Sequence, residues 1–192
     1  MVLRNVRTSA MRVAGVTLME LMLTLAIVCV VATLGTPSFL GMLARHAVAA
    51  EAQDLQDAVR LGRNEAMKRG GPVILCRADA LDSGRCADGH GSWQAWLLFA
   101  DPDRNGAFNE GDTLVRRHQA PPHRLTIAAS ATRIRFESTG IVLSDDGAAI
   151  DFVLTPVGRP RTSGDGDRES QRRVCVNPRG QVVVIGGAAT CP

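Results

Sequence analysis

Hydrophobic positions along this chain follow three successive rhythms. From Val16 to Leu34 they are nearly continuous, interrupted by Glu20 and three Thr residues. At ~1.5 Å rise per residue such a run covers about 28 Å as a helix, close to the hydrocarbon thickness of a bilayer. Beyond Pro37 the apolar positions thin to a stripe. Val48, Ala52, Leu55, Val59, Gly62 and Ala66 recur at alternating spacings of four and three, one face of an amphipathic helix. Arg45, Glu51, Asp54, Asp57, Arg60, Arg63 and Lys68 are expected mostly on its other faces. Arg69-Gly70-Gly71-Pro72 ends the pattern, with Gly at the helix terminus and Pro beyond it.

Downstream the period becomes two, punctuated by turn residues. Nine runs read as strands: PVILCR, WQAWLLFA, TLVRRHQ, RLTIAA, TRIRFE, IVLS, AIDFVLT, RRVCVN and QVVVIG. A helical first part followed by antiparallel strands predicts an α+β domain, the helix stripe packing on a sheet. No internal repeat is visible, and SGDGDRES at 163–170 reads as a polar loop.

Charge sharpens the picture at the N-terminus. The chain of 192 residues carries a formal charge of +3. Arg4, Arg7 and Arg12, with no acid among them, account for all of it, and residues 16–192 hold 19 basic against 19 acidic side chains. A global case for nucleic-acid binding is thereby excluded; only a local patch would serve. Three arginines before an apolar helix predict a cytoplasmic N-terminus and a periplasmic remainder. A cleaved secretory signal would need small residues after the apolar core, and VATLGTPSF offers no clean site. A lipoprotein signal would need a small residue before Cys29, where Val28 stands.

Glu20 is the anomaly. An ionised carboxylate in lipid costs about 2.5–3.5 kcal/mol, so it requires a partner. Cleavage after Gly15 would place a new α-amine on Val16, about one helical turn from Glu20. Amine and carboxylate then neutralise each other within a chain or between neighbouring helices. In the second arrangement Glu20 marks the register of helix stacking.

Gly15-Val16-Thr17-Leu18-Met19-Glu20 followed by an apolar helix resembles the class III signal of type IV pilins and type II secretion pseudopilins. Val16 stands where Phe is common. The resemblance implies that a prepilin peptidase cuts between Gly15 and Val16 and methylates the Val16 amine. Thr17, Leu18 and Glu20 match the motif, and Pro37 matches a proline that kinks or melts the helix in many pilins. Further on, AVRLGRNEAMKRGGPVILC, LLFADPDRNGAFNEGD and RRVCVNPRGQVVV resemble the GspH/FimT family of minor pseudopilins over nearly the whole chain. That resemblance implies a long helix against two β-sheets and a place at the tip of a pseudopilus or pilus. Expected partners are other minor and major pilins or pseudopilins, the prepilin peptidase and the inner-membrane assembly platform; no cofactor and no small-molecule substrate are expected. The implied organisation is a basic leader (1–15), a transmembrane assembly helix (16–43), its amphipathic continuation (44–70) and a periplasmic β-rich head (71–192).

The head offers few candidates for chemistry. Four cysteines lie outside the apolar run and allow three connectivities. Cys76–Cys86 and Cys175–Cys191 are favoured because each closes a short loop, which fits an oxidising compartment better than zinc, for which no C-x-x-C exists. Asp101, Asp103, Asn105, Gly106 and Asp112 follow the spacing of a calcium loop. Against it stand Pro102, the short Asp112 in place of Glu, and the absence of flanking helices. The same text serves a strand-to-strand turn, the reading adopted, and no metal is expected. Arg159, Arg161 and Arg179 are candidates for phosphate contact. Some FimT-like proteins take up DNA through a C-terminal Gly-Arg-x-Arg loop, but Gly180-Gln181-Val182-Val183 here lacks both arginines. A DNA-binding minor pilin for natural transformation is therefore the alternative to a structural subunit in protein secretion. His46, His90, His118 and His123 accompany no nucleophile motif, and Asp145-Asp146 reads as a turn, so no enzymatic activity is expected.

Overall fold

The computed structural model describes residues 15–79, 84–144, 147–157, 170–187 and 189–192, with the side chains of residues 33–40 not described. One α-helix, α1 (Leu18–Arg69), precedes nine strands. These are β1 (Val73–Ala78), β2 (Ala95–Ala100), β3 (Thr113–Gln119), β4 (Leu125–Ala129), β5 (Arg133–Phe136), β6 (Val142–Ser144), β7 (Ile150–Pro156), β8 (Arg172–Val176) and β9 (Val182–Gly186). By contacts the chain forms two units, residues 1–40 and 41–192.

In the first unit, helical assignment runs unbroken through Pro37. Among the described residues no helix is long and apolar enough to cross a membrane.

In the second unit, the later turns of α1 lie on two antiparallel sheets, ordered β3-β2-β1-β5-β6 and β4-β7-β8-β9. The whole stripe of Val48, Ala52, Leu55, Val59, Gly62 and Ala66 is buried, joined by Ala58. It meets Leu75, Leu98, Ile134 and Phe136 of the five-stranded sheet and Ile127, Phe152, Leu154 and Val174 of the four-stranded one in a single core. Gly62 sets the closeness of that packing. A Cβ there would stand 2.6 Å from Phe136 Cε2, so only glycine permits the helix to approach so near. Gly70, at φ +67°, ends α1, its N–H donating to the Ala66 carbonyl at 3.0 Å.

Strands β1 and β2 are buried on both faces. Their second face (Ile74, Cys76, Ala78, Ala95, Leu97 and Phe99) forms a smaller core roofed by Cys86 and Phe108. Two loops supply that roof. One is closed by the Cys76–Cys86 disulfide; the other, between β2 and β3, lays Phe108 on Phe99 with ring centroids 5.2 Å apart. The second disulfide joins Cys175 to Cys191 and ties the C-terminus to β8.

Two expectations change. Trp93 was expected inside β2 but precedes it. Its N–H crosses to the Ile127 carbonyl of β4 at 2.8 Å while its ring packs edge-on against Phe152, so it links the two sheets. Glu51 was expected on an outward face, yet only 4% of it is exposed. The reason is a partner distant in sequence: His118 on β3 holds its carboxylate.

Candidate functional site

At the start of α1, Gly15 and Val16 are exposed and lie outside regular structure. Thr17 caps the helix: its Oγ1 accepts the Glu20 N–H at 3.2 Å, and its carbonyl accepts the Leu21 N–H at 3.1 Å. Thr17 and Glu20 thus occupy the N-cap and third positions of the Thr-x-x-Glu capping sequence. This signal is plain in the text but easily passed over once the acid is read as a buried charge. A carboxylate in the first turn also suits the positive end of the helix dipole. Beyond the cap, Leu18, Met19, Leu21, Met22, Leu23 and Leu25 are all more than 60% exposed in the isolated chain. A continuous exposed apolar surface of this kind marks an interaction face.

On the head, a polar seam joins α1 to the edge strand β3. His118 Nε2 lies 2.9 Å from Glu51 Oε2, and Arg116 Nη2 donates to Asp54 Oδ1 at 2.6 Å. Trp96 lies against both side chains, stacked on the His118 ring at 5.1 Å and 5.5 Å from the Arg116 guanidinium. The hydrogen bond to Glu51 raises the His118 pKa above its ordinary value, against the opposing effect of burial.

The β2–β3 loop is built from its own side chains. Asp101 Oδ2 accepts the Gly106 N–H at 2.9 Å, and Asp103 Oδ1 accepts the Asn105 N–H at 3.2 Å. Asn105 Oδ1 accepts the Ala107 N–H at 2.7 Å, and Asp112 Oδ2 accepts the Asn109 N–H at 2.8 Å. Asp101, Asp103 and Asp112 of the calcium-like spacing therefore come together, with Asn105 bonded to Asp103, between two strands and not two helices.

The model of the family of type II transport protein GspH matches residues 51–180. The chain belongs to the GspH family. No curated protein matches it. Among solved structures, the type IV minor pilin FimU of Pseudomonas aeruginosa PAO1 is similar at a TM-score of 0.51 and 13% identity, covering 73% of this chain and 90% of that one. The minor pseudopilin EpsH of the Vibrio cholerae type II secretion system gives a TM-score of 0.48 at 12% identity, covering 77% of this chain and 99% of that one. The FimU likeness identifies the α+β fold as pilin-like. As a GspH-family protein with that fold, the chain is a structural subunit of the pseudopilus or pilus kind.

In this GspH protein the candidate DNA-contacting arginines do not form a described patch. Arg159 and Arg161 lie outside the described residues, as do Asp145 and Asp146. Arg179 is exposed in the β8–β9 turn, but Arg173 is committed to Asp151 Oδ2 at 2.6 Å. Gly180, at φ +74°, is buried where a Cβ would meet Arg63 Cδ at 2.7 Å. Arg63 Nε in turn donates to the Gly140 carbonyl at 3.1 Å, so the motif's aligned place is a packing junction between the helix and both sheets. A cleft of about 460 Å³ beside Gln94, Ala120, Pro122 and Leu125 contains His123 as its one titratable group. All four head cysteines are oxidised, which removes them as metal ligands.

Proposed function

We propose that this chain is a minor pseudopilin of a type II secretion pseudopilus, cut between Gly15 and Val16 and N-methylated on Val16. Residues 16–43 anchor it once in the inner membrane, leader arginines inside and head in the periplasm, before it joins the fibre. The prepilin peptidase and the assembly platform are then its first partners, and other pilin-like subunits its permanent ones. The observation that carries this reading is the start of α1. An exposed Gly15–Val16 bond stands immediately before a Thr17-capped helix on which Leu18, Met19, Leu21, Met22, Leu23 and Leu25 are exposed.

The chemistry follows from that arrangement. Once the leader is gone, the Val16 amine and the Glu20 carboxylate cancel each other's charge in lipid, and a neighbour's helix docks on the apolar face. The two disulfides suit an oxidising compartment. The DNA-uptake reading is not favoured. Mass measurement of the protein extracted from membranes tests the proposal. A chain beginning at methylated Val16 supports it, and a mature chain that retains residues 1–15 overturns it.

A further inference from the structure

The β2–β3 loop satisfies its backbone well and its acids badly. One carboxylate oxygen from each of Asp101, Asp103 and Asp112 lies within 4.8 Å of the other two. Asp101 is wholly buried, and its Oδ1 has no hydrogen-bond donor; nor has the buried Oδ1 of Asp112. A buried acceptor without a donor costs ~1–3 kcal/mol, more when charged, so two of them in one loop call for an explanation. Strand-to-strand turn chemistry accounts for Asp101 Oδ2, Asp112 Oδ2 and both oxygens of Asp103, which accept from backbone N–H groups or from Asn105 and Asn109. It leaves the two Oδ1 atoms unexplained. What faces Asp101 across the loop is the Asp103 carboxylate, another acceptor, and two such groups can share only a proton or a cation.

We propose that Asp101, Asp103 and Asp112 bind one calcium ion. The donors are all hard oxygens, the class that calcium and magnesium take and that zinc and copper do not prefer. Calcium–oxygen bonds of about 2.3–2.6 Å allow opposite ligands of one ion to stand roughly 5 Å apart, which the observed spacing meets. Asp-x-Asp-x-Asn-Gly with a further acid at the twelfth place is also the ligand spacing of calcium loops, here set between two strands. Backbone carbonyls and water complete the shell, because three carboxylates supply fewer than the 6–8 oxygens calcium takes. Arg133 donates from Nη1 to the Gly106 carbonyl of this loop at 3.0 Å, while the Oδ1 atoms of Asp101 and Asp112 accept no hydrogen bond. A filled site would fasten Phe108 over Phe99 and so stabilise the roof of the smaller core.

The test uses the full chain in detergent, stripped with chelator and dialysed at pH about 7.5, with calcium chloride or magnesium chloride then added at about 1 mM. With affinity of the order found for extracellular calcium modules, roughly 10⁻⁴ M, calcium raises Tm by about 3–5 °C. Magnesium gives less than half of that shift. Asp112→Asn and Asp103→Asn lose the calcium response while their calcium-free Tm stays within about 2 °C of wild type. Equal shifts with both cations, or a calcium response kept in both variants, overturn the proposal. So does a wild-type Tm indifferent to calcium, which would leave the shared proton as the explanation.

Discussion

Glu51 of α1 and His118 of β3 meet at 2.9 Å, sixty-seven residues apart in sequence, at the place where the helix crosses the outer strand of the larger sheet. Each side chain is otherwise an odd choice: a carboxylate only 4% exposed, and an imidazole laid flat on a buried Trp96. Paired, they solve each other's desolvation. Asp54 and Arg116 repeat the pairing one helical turn along.

The pairing makes stability depend on pH, with a definite sign. The His118 pKa is raised in the folded state, foremost by its hydrogen bond to Glu51, so the native protein holds a proton that the unfolded chain releases. The contribution is fully present below the unfolded value of about 6.5 and is lost as pH rises through the higher folded value. Melting temperature should therefore decline as pH rises above about 6.5. Glu51→Gln should flatten that decline, and a variant with the wild-type slope would refute the assignment.

Gly62 should tolerate no side chain. Alanine is favoured over glycine in a helix by about 1 kcal/mol, but the added methyl would stand 2.6 Å from the fully buried Phe136 ring. Overpacking wins, and Gly62→Ala should lose about 1–2 kcal/mol in urea unfolding, with Gly62→Val losing more.

The stripe containing Gly62 was legible because helical spacing depends on neighbours three and four residues away, and the nine strands because alternation and turn residues are equally local. Trp93 broke the reading by leaving its strand to bond β4. Glu51 broke it too, since nothing near it in sequence announces an imidazole on β3. At the start of α1 the charge of Glu20 and the signal motif stand out in the sequence, yet Thr17-x-x-Glu20 also spells a helix cap. Two of the candidate arginines, Arg159 and Arg161, fall outside the described residues.

Both disulfides close short loops, with sequence separations of 10 and 16, so each restricts the unfolded chain modestly. Replacing either pair with serine should cost about 2–4 kcal/mol. The Cys76–Cys86 pair carries an added consequence, because its loop also roofs the smaller core. Its loss should expose that face to a hydrophobic dye, whereas loss of Cys175–Cys191 should leave dye binding unchanged.

Cap and charge at the start of α1 can be separated. Glu20→Gln keeps the capping geometry and removes the negative charge; Thr17→Ala removes the cap and keeps the charge. If Glu20 serves assembly by neutralising the Val16 amine, only the first should reduce incorporation into fibres by tenfold or more. The second should weaken the first helical turn by about 1 kcal/mol. Equal defects would mean that helix initiation, not charge, is what the motif protects.

The route of the chain through its sheets has an outcome for biogenesis. After β1–β3 the chain departs to lay down β4, returns for β5 and β6, and departs again for β7–β9. Neither sheet is therefore finished by a contiguous stretch of polypeptide, and β4 waits for β7 to arrive before it has a neighbour. A head delivered from its N-terminal side would have no stable halfway house, and would settle all at once after its last strands arrive.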